Sequence, residues 1–492
     1  MRLPGRKLYL AGGFVFLSVL FLYLRLKNIG HLLMWDEAWN ILSLRAFLLN
    51  AAGDPFYWFY RFHPPLYMTF AGLLFPFRDG FAIRLELLSL FFAYGTFLVM
   101  YLLSARIGGW RYAWFSGLFL SVMPGAIGFD TWIKRDSLAS FLGYLALLVL
   151  VRKRFFWCGV LLGLSMLSKE SGIFFLLSAL FLILVSREKK PFLRIIVLCL
   201  TVFVVSSWWY IFYSEMTTHG AAFFFSKGEY SMLWAHSSMY YLKKLLPDMG
   251  IGILFFLIIG AFYLLYLVFR ERAIEWSVPV IVVLCVYLPV SFLFTLKAPW
   301  LSYSAFPALA MAAGGGALYV FKRSVKSKLL LPVLFLALFL AVFTGLAFSY
   351  QKYFMKTYPN GWPGAYSSRE LAQYLNGRMK DKDRLMITRF TYWEMPTCPV
   401  FLYYWKPHEI LILPTGDRLS AEALAKAGRP TTDEIMENIR KHKISWFVVV
   451  GSPDPKKDPV KLVGELKETP LKDPEIVGWS YVWNTEKLWQ DR

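Results

Sequence analysis

Eleven long apolar stretches limit what this 492-residue chain can fold into more than any other feature of its sequence. Most are close to the ~20 residues that a helix needs to cross a hydrocarbon core. The predicted spans cover roughly 7–26, 83–105, 112–129, 137–151, 155–168, 172–186, 193–213, 249–269, 276–296, 302–321 and 329–349. A shorter apolar stretch at 64–77 contains three prolines, and we interpret it as an interfacial segment. The chain is therefore predicted to be mainly α, a polytopic transmembrane helix bundle.

Composition agrees with a membrane protein. Hydrophobic residues make up 57% of the chain, whereas soluble domains are about 45–50% apolar. The first apolar run follows a basic segment, as a signal peptide would. It is longer than a usual signal core and no small-residue cleavage site follows it, so we interpret it as a retained span.

Charge predicts the orientation of the bundle. If the N-terminus is cytoplasmic, every predicted inner loop is short and rich in lysine or arginine, as the positive-inside rule requires. Most acidic residues of the membrane part then lie at the outer face. The net charge of +21 is concentrated on those inner loops, which argues against a nucleic-acid partner. The prediction is a multi-pass protein of a prokaryotic cytoplasmic membrane.

Two domains are expected. Residues 1–349 form the transmembrane part, with long outer loops at 27–82 and 214–248. Residues 350–492 are predicted to form a small extracytoplasmic α/β domain with a partly parallel sheet. Its predicted helices are 367–379, 421–427 and 432–442, and its predicted strands are 383–388, 409–414, 444–451 and 480–484. This domain contains no phosphate-binding loop, nucleophile elbow or metal motif.

The motif MWDEAWN in the first outer loop places Asp36 and Glu37 between Trp35 and Trp39. Taken alone, it is typical of a polar loop with tryptophans at the membrane interface. Four other outer junctions also carry charge, however, and ionisable groups at membrane depth are by default candidates for a functional site. These residues are Arg61 and His63; Asp130, Lys134, Arg135 and Asp136; Lys169 and Glu170; and Lys297. The mixture favours a substrate with an anionic head that lysine and arginine bind, with a carboxylate acting beside it.

The order and sidedness of WDEAWN, HPPLY, DTWIKRDSLASF, LSKESG and KAPWLSYSAFP resemble those of the GT-C membrane glycosyltransferases. These enzymes use polyprenyl- or dolichyl-phosphate sugars, and the similar branch contains the protein O-mannosyltransferases and the lipid A aminoarabinose transferase. The resemblance covers roughly residues 1–320. It implies an inverting transfer in which Asp36 is the general base and Glu37 orients it or binds the sugar. The cations and the other acids at the outer junctions would bind the donor's phosphate and sugar.

One departure from that family concerns His63, which stands where the aminoarabinose-type enzymes place a lysine, so its contact with the donor depends on pH. A divalent metal is left open by the resemblance, and no cofactor is firmly implied. The residues that offer metal ligands are Asp36, Asp130, Asp136, Glu170, His63, His219 and His236, but they show no metal-site spacing. We expect no obligatory metal.

Two other functions are compatible with a polytopic membrane chain, a transporter and a scaffold. A transporter or flippase of a lipid-linked sugar also needs charges in a cavity, but transporters commonly show two related halves with charges near the midplane. A scaffold that displays the outer domain does not explain clustered acids and bases. The sugar, hexosyl or pentosyl, and the acceptor, whether glycan, lipid or protein, are not determined by the sequence.

Overall fold

The computed structural model describes most of the chain as two compact units. The described residues are 5–30, 33, 35–50, 63–76, 80–186, 190–213, 238–271, 273–294, 297, 299–325, 330–355, 363–380, 382–388, 401, 410–413, 431–449, 460–471, 474–477, 480–486 and 488. The first unit comprises Met1–His31 and Ser43–Lys356, and the second comprises Leu32–Leu42 and Thr357–Arg492. The stretch with the WDEAWN motif is thus grouped with the C-terminal residues.

The described part of the first unit is helical. Its helices are α1 (Gly5–Leu26), α2 (Trp35–Leu48, whose first eight residues are grouped with the second unit), α3 (Leu66–Leu73), α4 (Phe81–Gly108), α5 (Trp110–Val122), α6 (Pro124–Phe129), α7 (Asp136–Val151), α8 (Phe155–Ser168), α9 (Ile173–Val185), α10 (Pro191–Phe212), α11 (Tyr240–Met249), α12 (Ile251–Phe269), α13 (Val278–Leu288), α14 (Phe306–Ser324) and α15 (Leu330–Met355). A 3-10 turn, Glu170–Gly172, separates α8 from α9, and a second, Pro299–Ala305, leads into α14.

Six helical segments among the described residues are long and apolar enough to cross a membrane. They are Phe81–Gly108, Pro191–Phe212, Ile251–Phe269, Ile274–Leu293, Leu301–Ser324 and Leu331–Tyr350. Shorter apolar helices cover Gly12–Leu26, Asp136–Val151, Phe155–Ser168 and Glu170–Val185. The number of spans, eleven from the sequence, stays a prediction.

The predicted span 112–129 is broken in the structure. Helix α5 ends at Val122, Met123 is extended, and α6 begins at Pro124. Proline has no backbone N–H and its ring clashes with the carbonyl four residues earlier, so it favours the first position of a new helix. The break turns the chain just before the charged segment that begins at Asp130.

Helix α14 is almost wholly buried and packs against α12 and α5. Glycines on both α12 and α14 allow this close packing. A side chain added at Gly260 of α12 would collide with the carbonyl of Ala312, and one added at Gly316 of α14 would collide with the carbonyl of Phe256. Small residues at such crossings let helix backbones approach closely in membranes. This packing anchors the helix that follows the 3-10 turn Pro299–Ala305.

The second unit contains a five-stranded sheet. Its elements are α16 (Pro363–Asn376), β1 (Leu385–Thr388), β2 (Ile410–Leu413), α17 (Thr432–Lys441), β3 (Trp446–Val449), α18 (Val460–Lys467), β4 (Glu475–Val477) and β5 (Ser480–Asn484). The strand order is β2-β1-β3-β5-β4, with β1 parallel to β2 and β3, and β5 antiparallel to β3 and β4. The predicted helix 421–427 lies outside the described residues.

The core of this unit lies between the sheet and α17 and α18. Phe447 of β3 stacks on Trp483 of β5, and Ile435 and Ile439 of α17 pack into the same cluster. Thr431 caps α17 with a complete capping box, since its hydroxyl accepts from Glu434 N and the Glu434 carboxylate accepts from Thr431 N. The cap fixes where this helix begins.

Candidate active site

Asp130 directly follows α6 and lies at the centre of a buried network of hydrogen bonds. Its Oδ2 accepts a hydrogen bond from Arg25 Nε at 2.6 Å, and its Oδ1 accepts one from the hydroxyl of Tyr303 at 2.7 Å. The Arg25 guanidinium also donates to the carbonyls of Ser121 and Leu120. Sequence reasoning missed Arg25, which it placed inside the first span. The signal was available, because an arginine in the last turn of an apolar helix needs a partner at membrane depth.

Asp136, the first residue of α7, pairs with Lys169 at the end of α8. Lys169 Nζ lies 2.7 Å from Oδ1 and 2.6 Å from Oδ2 of Asp136. Two serine hydroxyls reinforce the junction: Ser168 donates to the carbonyl of Arg135 and Ser165 to that of Ala139. The junction of α7 with α8 is therefore rigid, and it holds a carboxylate and an ammonium at fixed positions.

His63 and Glu170 form a second pair. His63 Nδ1 lies 3.1 Å from Oε1 and 3.3 Å from Oε2 of Glu170, and both side chains are partly exposed. The pair connects the predicted HPPLY motif to the LSKESG motif. Its charge depends on whether the imidazole is protonated.

Lys134 and Arg135 are both buried in the segment between α6 and α7. The ammonium of Lys134 lies 4.5 Å from the centre of the Trp132 ring, a cation–π contact. Ser137 donates to the carbonyl of Lys134, which fixes the backbone at that residue. The segment thus keeps two cations below the surface.

Lys297 lies between α13 and α14, with only 4% of its surface exposed. Within the described part of the chain its amine donates to the carbonyl of Phe294, at 2.7 Å, and pairs with no carboxylate. Burial lowers the pKa of this amine below that of an ordinary lysine. An anion that reached the amine would stabilise its charged form.

The segment that follows Lys297 is bonded to α7. Ser140 and Ser304 share a hydrogen bond through their hydroxyls, and the hydroxyl of Tyr144 donates to the carbonyl of Ser304. The same phenol oxygen accepts from the backbone N–H of Ala308. Together with the bond from Tyr303 to Asp130, these contacts join the segments 130–136, 168–170 and 299–305 into one frame.

The remaining predicted site residues are outside this frame or outside the described residues. Asp36 and Glu37 stand in the first turn of α2, in the stretch grouped with the second unit. Glu37 is fully buried, whereas the side chain of Asp36 is outside the described part, as are Arg61, His219 and His236. The described residues contain no group of three possible metal ligands, and the metal question stays open.

Asp248 is a buried acid in the structure. The sequence predicts it at the outer face but does not include it among the candidate site residues. It lies near the end of α11 with 6% of its surface exposed, and its Cβ is 3.1 Å from where a side chain on Gly125 of α6 would begin. Burial raises the pKa of its carboxyl to about 7, and Lys244 one turn earlier acts in the opposite direction. This carboxyl therefore titrates near neutral pH.

The comparisons with known proteins bear on the fold. No family model matches the sequence, and neither does a curated protein sequence. The structure is similar to apo ArnT from Cupriavidus metallidurans, with a TM-score of 0.66, 17% identity, and 98% of this chain and 100% of that chain covered. The same protein bound to undecaprenyl phosphate gives a TM-score of 0.65 at 16% identity, with 96% and 98% covered.

A second similar structure is the oligosaccharyltransferase of Archaeoglobus fulgidus in its apo form. Its TM-score is 0.60 at 12% identity, with 90% of this chain and 70% of that chain covered. At these identities the likeness concerns the arrangement of the chain rather than its chemistry. The membrane-length helices and these neighbours together give the chain the GT-C fold of polytopic membrane glycosyltransferases.

Proposed function

We propose that this chain is an inverting glycosyltransferase that moves a sugar from a polyprenyl-phosphate donor to an acceptor at the outer face of the membrane. The main observation in support of this proposal is the environment of the Lys297 amine. It is buried, and within the described residues it is bonded to a carbonyl rather than to a carboxylate. A buried ammonium is costly unless an anion accompanies it, and the phosphate of the donor is such an anion.

The choice of a lipid-linked donor has further support. The structurally similar ArnT was solved with undecaprenyl phosphate, and this chain shares its fold. The frame around Asp130 and Asp136 also holds Lys134 and Arg135 below the surface. Cations in a site that excludes water stabilise charge on a departing phosphate more strongly than they would in bulk solvent.

The reaction needs a base as well as cations. Asp36 removes the proton from the acceptor's nucleophilic hydroxyl, amine or amide, and Glu37 orients Asp36 or binds the sugar. The acceptor's oxygen or nitrogen bonds to the anomeric carbon while the bond from that carbon to the phosphate oxygen breaks. Polyprenyl phosphate leaves with the electron pair, and Lys297 and its neighbours bind the charge. A single displacement inverts the anomeric configuration.

The location of the site follows from the charge pattern. We propose a cytoplasmic N-terminus and a C-terminal unit outside, in a prokaryotic cytoplasmic membrane, and the basic inner loops of the sequence support this orientation. Glycans, lipids and proteins all remain acceptors consistent with an outer site, and the sugar is a hexose or a pentose, mannose and amino sugars included.

The test is a donor panel. Purified protein is incubated with radiolabelled polyprenyl-phosphate sugars and a membrane extract that supplies acceptors, with and without EDTA, and release of lipid phosphate is measured. We expect release from at least one donor, an inverted product, and a large loss of release in Lys297→Met. Lys322→Met, which removes an exposed lysine of α14, is the matched control and is expected to behave as the parent. Movement of an intact lipid-linked sugar across proteoliposomes without cleavage would instead establish a flippase.

A further inference from the structure

The carboxylate of Asp130 joins three segments that are far apart in the chain. One oxygen accepts from Arg25 at the end of α1 and the other from Tyr303 in the turn before α14. All three side chains are buried, and Arg25 is completely inaccessible. Hydrogen bonds to a buried charged group are short and directional, so this network fixes the relative positions of its members.

All three nitrogens of the Arg25 guanidinium donate hydrogen bonds to the protein. Its Nη1 donates to the carbonyl of Ser121 at 2.7 Å and its Nη2 to that of Leu120 at 3.0 Å. The carbonyl of Leu120 needs such a donor, because the residue four positions later is Pro124, which has no N–H to give. The guanidinium also lies 3.6 Å from the centre of the Phe21 ring. The side chain of Arg25 is completely inaccessible, so a ligand does not reach it and any effect on the reaction is indirect.

The network connects the two segments that carry the proposed phosphate-binding lysines. Asp130 is four residues before Lys134, and Tyr303 is six residues after Lys297. The bond between Asp130 and Tyr303 therefore sets the distance between those segments, and Arg25 holds both to the end of α1. A buried ion pair contributes little net stability compared with apolar residues of the same shape, so stability alone does not account for it.

We propose that Arg25, Asp130 and Tyr303 form a positioning triad that holds the segments of Lys134 and Lys297 at the separation required to bind the donor's phosphate. The triad rests on the proposed function, and it acts through those lysines rather than by touching the donor. Holding charged groups within a fraction of an ångström of their productive positions can increase a reaction rate by large factors. We assign this effect to the triad.

The first test is Tyr303→Phe, which removes one hydroxyl and keeps the ring. We expect the KM for the lipid-linked donor to rise roughly tenfold, the effect of losing one hydrogen bond to a charged group. The change in kcat should be smaller, and thermal unfolding should shift by only a few degrees. Tyr94→Phe is the matched control, because its hydroxyl donates to Ser18 away from the frame. A merely structural role would lower the amount of active enzyme and leave KM unchanged.

The second test is the double variant Arg25→Met with Asp130→Leu, which replaces the buried ion pair by apolar residues. We expect a folded protein of somewhat lower thermal stability than the parent, because the carbonyls of Ser121 and Leu120 and the hydroxyl of Tyr303 lose their partners. Its kcat/KM should be at least 100-fold lower. Normal KM in Tyr303→Phe, or normal transfer in a folded double variant, overturns the triad while the parent's activity still supports the transferase. A parent that neither binds polyprenyl phosphate nor transfers a sugar overturns the proposed function, and the triad with it.

Discussion

Lys169 donates to both carboxylate oxygens of Asp136, although 32 residues separate them in the chain. Lys169 directly follows the last residue of α8, and Asp136 is the first residue of α7. The carboxylate at the start of α7 is also favoured by the helix dipole. The pair holds an acid and a base together at the candidate site, and both are largely shielded from solvent.

Removal of one partner of this pair is expected to be more harmful than removal of both. Lys169→Met leaves Asp136 buried without its counter-ion, and breaking a buried pair in this way costs about 3–5 kcal/mol. The double variant Lys169→Met with Asp136→Leu should recover most of that loss, because no unpaired charge stays buried. Thermal unfolding of the parent, both single variants and the double variant in detergent measures the coupling. Losses that simply add would show that the two side chains do not interact.

Asp36 is expected to be essential for transfer and dispensable for insertion. Asp36→Asn keeps the size of the side chain but removes the base, so the transfer rate should fall by roughly 10²–10⁴-fold with donor binding preserved. Glu271→Gln, an exposed acid just after α12, is the control and should transfer normally. Near-normal transfer by Asp36→Asn in purified membranes would remove Asp36 from the mechanism.

Lys297 should give donor binding a characteristic pH dependence. Burial lowers the pKa of Lys297, so its ammonium is lost at a lower pH than in an ordinary lysine. Because donor phosphate requires the charged form, the KM for the donor should rise as pH rises through this lowered pKa. Arginine stays protonated, and Lys297→Arg should therefore show a KM that is flat over the same alkaline range. Parallel profiles in the two proteins would exclude Lys297 as the titrating group.

The sequence predicted the helices better than their interruptions. Strand β5 has the same bounds as its prediction, 480–484, and α8 those of the predicted span 155–168. Hydropathy treats residues 112–129 as one apolar run, but Pro124 divides it into two helices. β4 and α18 were not predicted, since three residues of strand and one short amphipathic helix give little periodicity to detect.

The site shows where prediction from sequence stops. The sequence identified Asp136, Lys169 and Glu170 as members of the charged site. The adjacent residues Lys169 and Glu170 nevertheless pair with different side chains. Lys169 pairs with Asp136, while Glu170 pairs with His63, more than a hundred residues away. Which side chains pair depends on how the helices pack, and the spacing of residues within one motif carries no information about that packing. The charge of Arg25 in an apolar helix is visible in the sequence, but its partners, which lie in α5 and at the end of α6, are not.

Asp248 is expected to make the stability of the protein depend on pH. Burial raises the pKa of its carboxyl to about 7, although the nearby Lys244 opposes the shift. An acid with a higher pKa in the folded protein than in the unfolded chain binds its proton more tightly when folded. The folded state is therefore favoured at low pH and loses stability as pH rises from about 4 to about 7. The charge of Asp248 also acts on the phenols of Tyr240 and Tyr287, but an ordinary phenol stays neutral across that range and contributes no charge of its own.

Asp248→Asn should remove that dependence, because an amide does not titrate. The raised pKa of the parent corresponds to at most about 4 kcal/mol of lost stability above pH 7, so the variant should unfold at a higher temperature than the parent at pH 8. At pH 4, where the parent carboxyl is protonated, the two should unfold at nearly the same temperature. Glu437→Gln on the exposed face of α17 provides the control, since an exposed acid has little effect on the difference between the two pH values. If Asp248→Asn and the parent keep the same difference in unfolding temperature at pH 4 and pH 8, the carboxyl of Asp248 is not a buried titrating group.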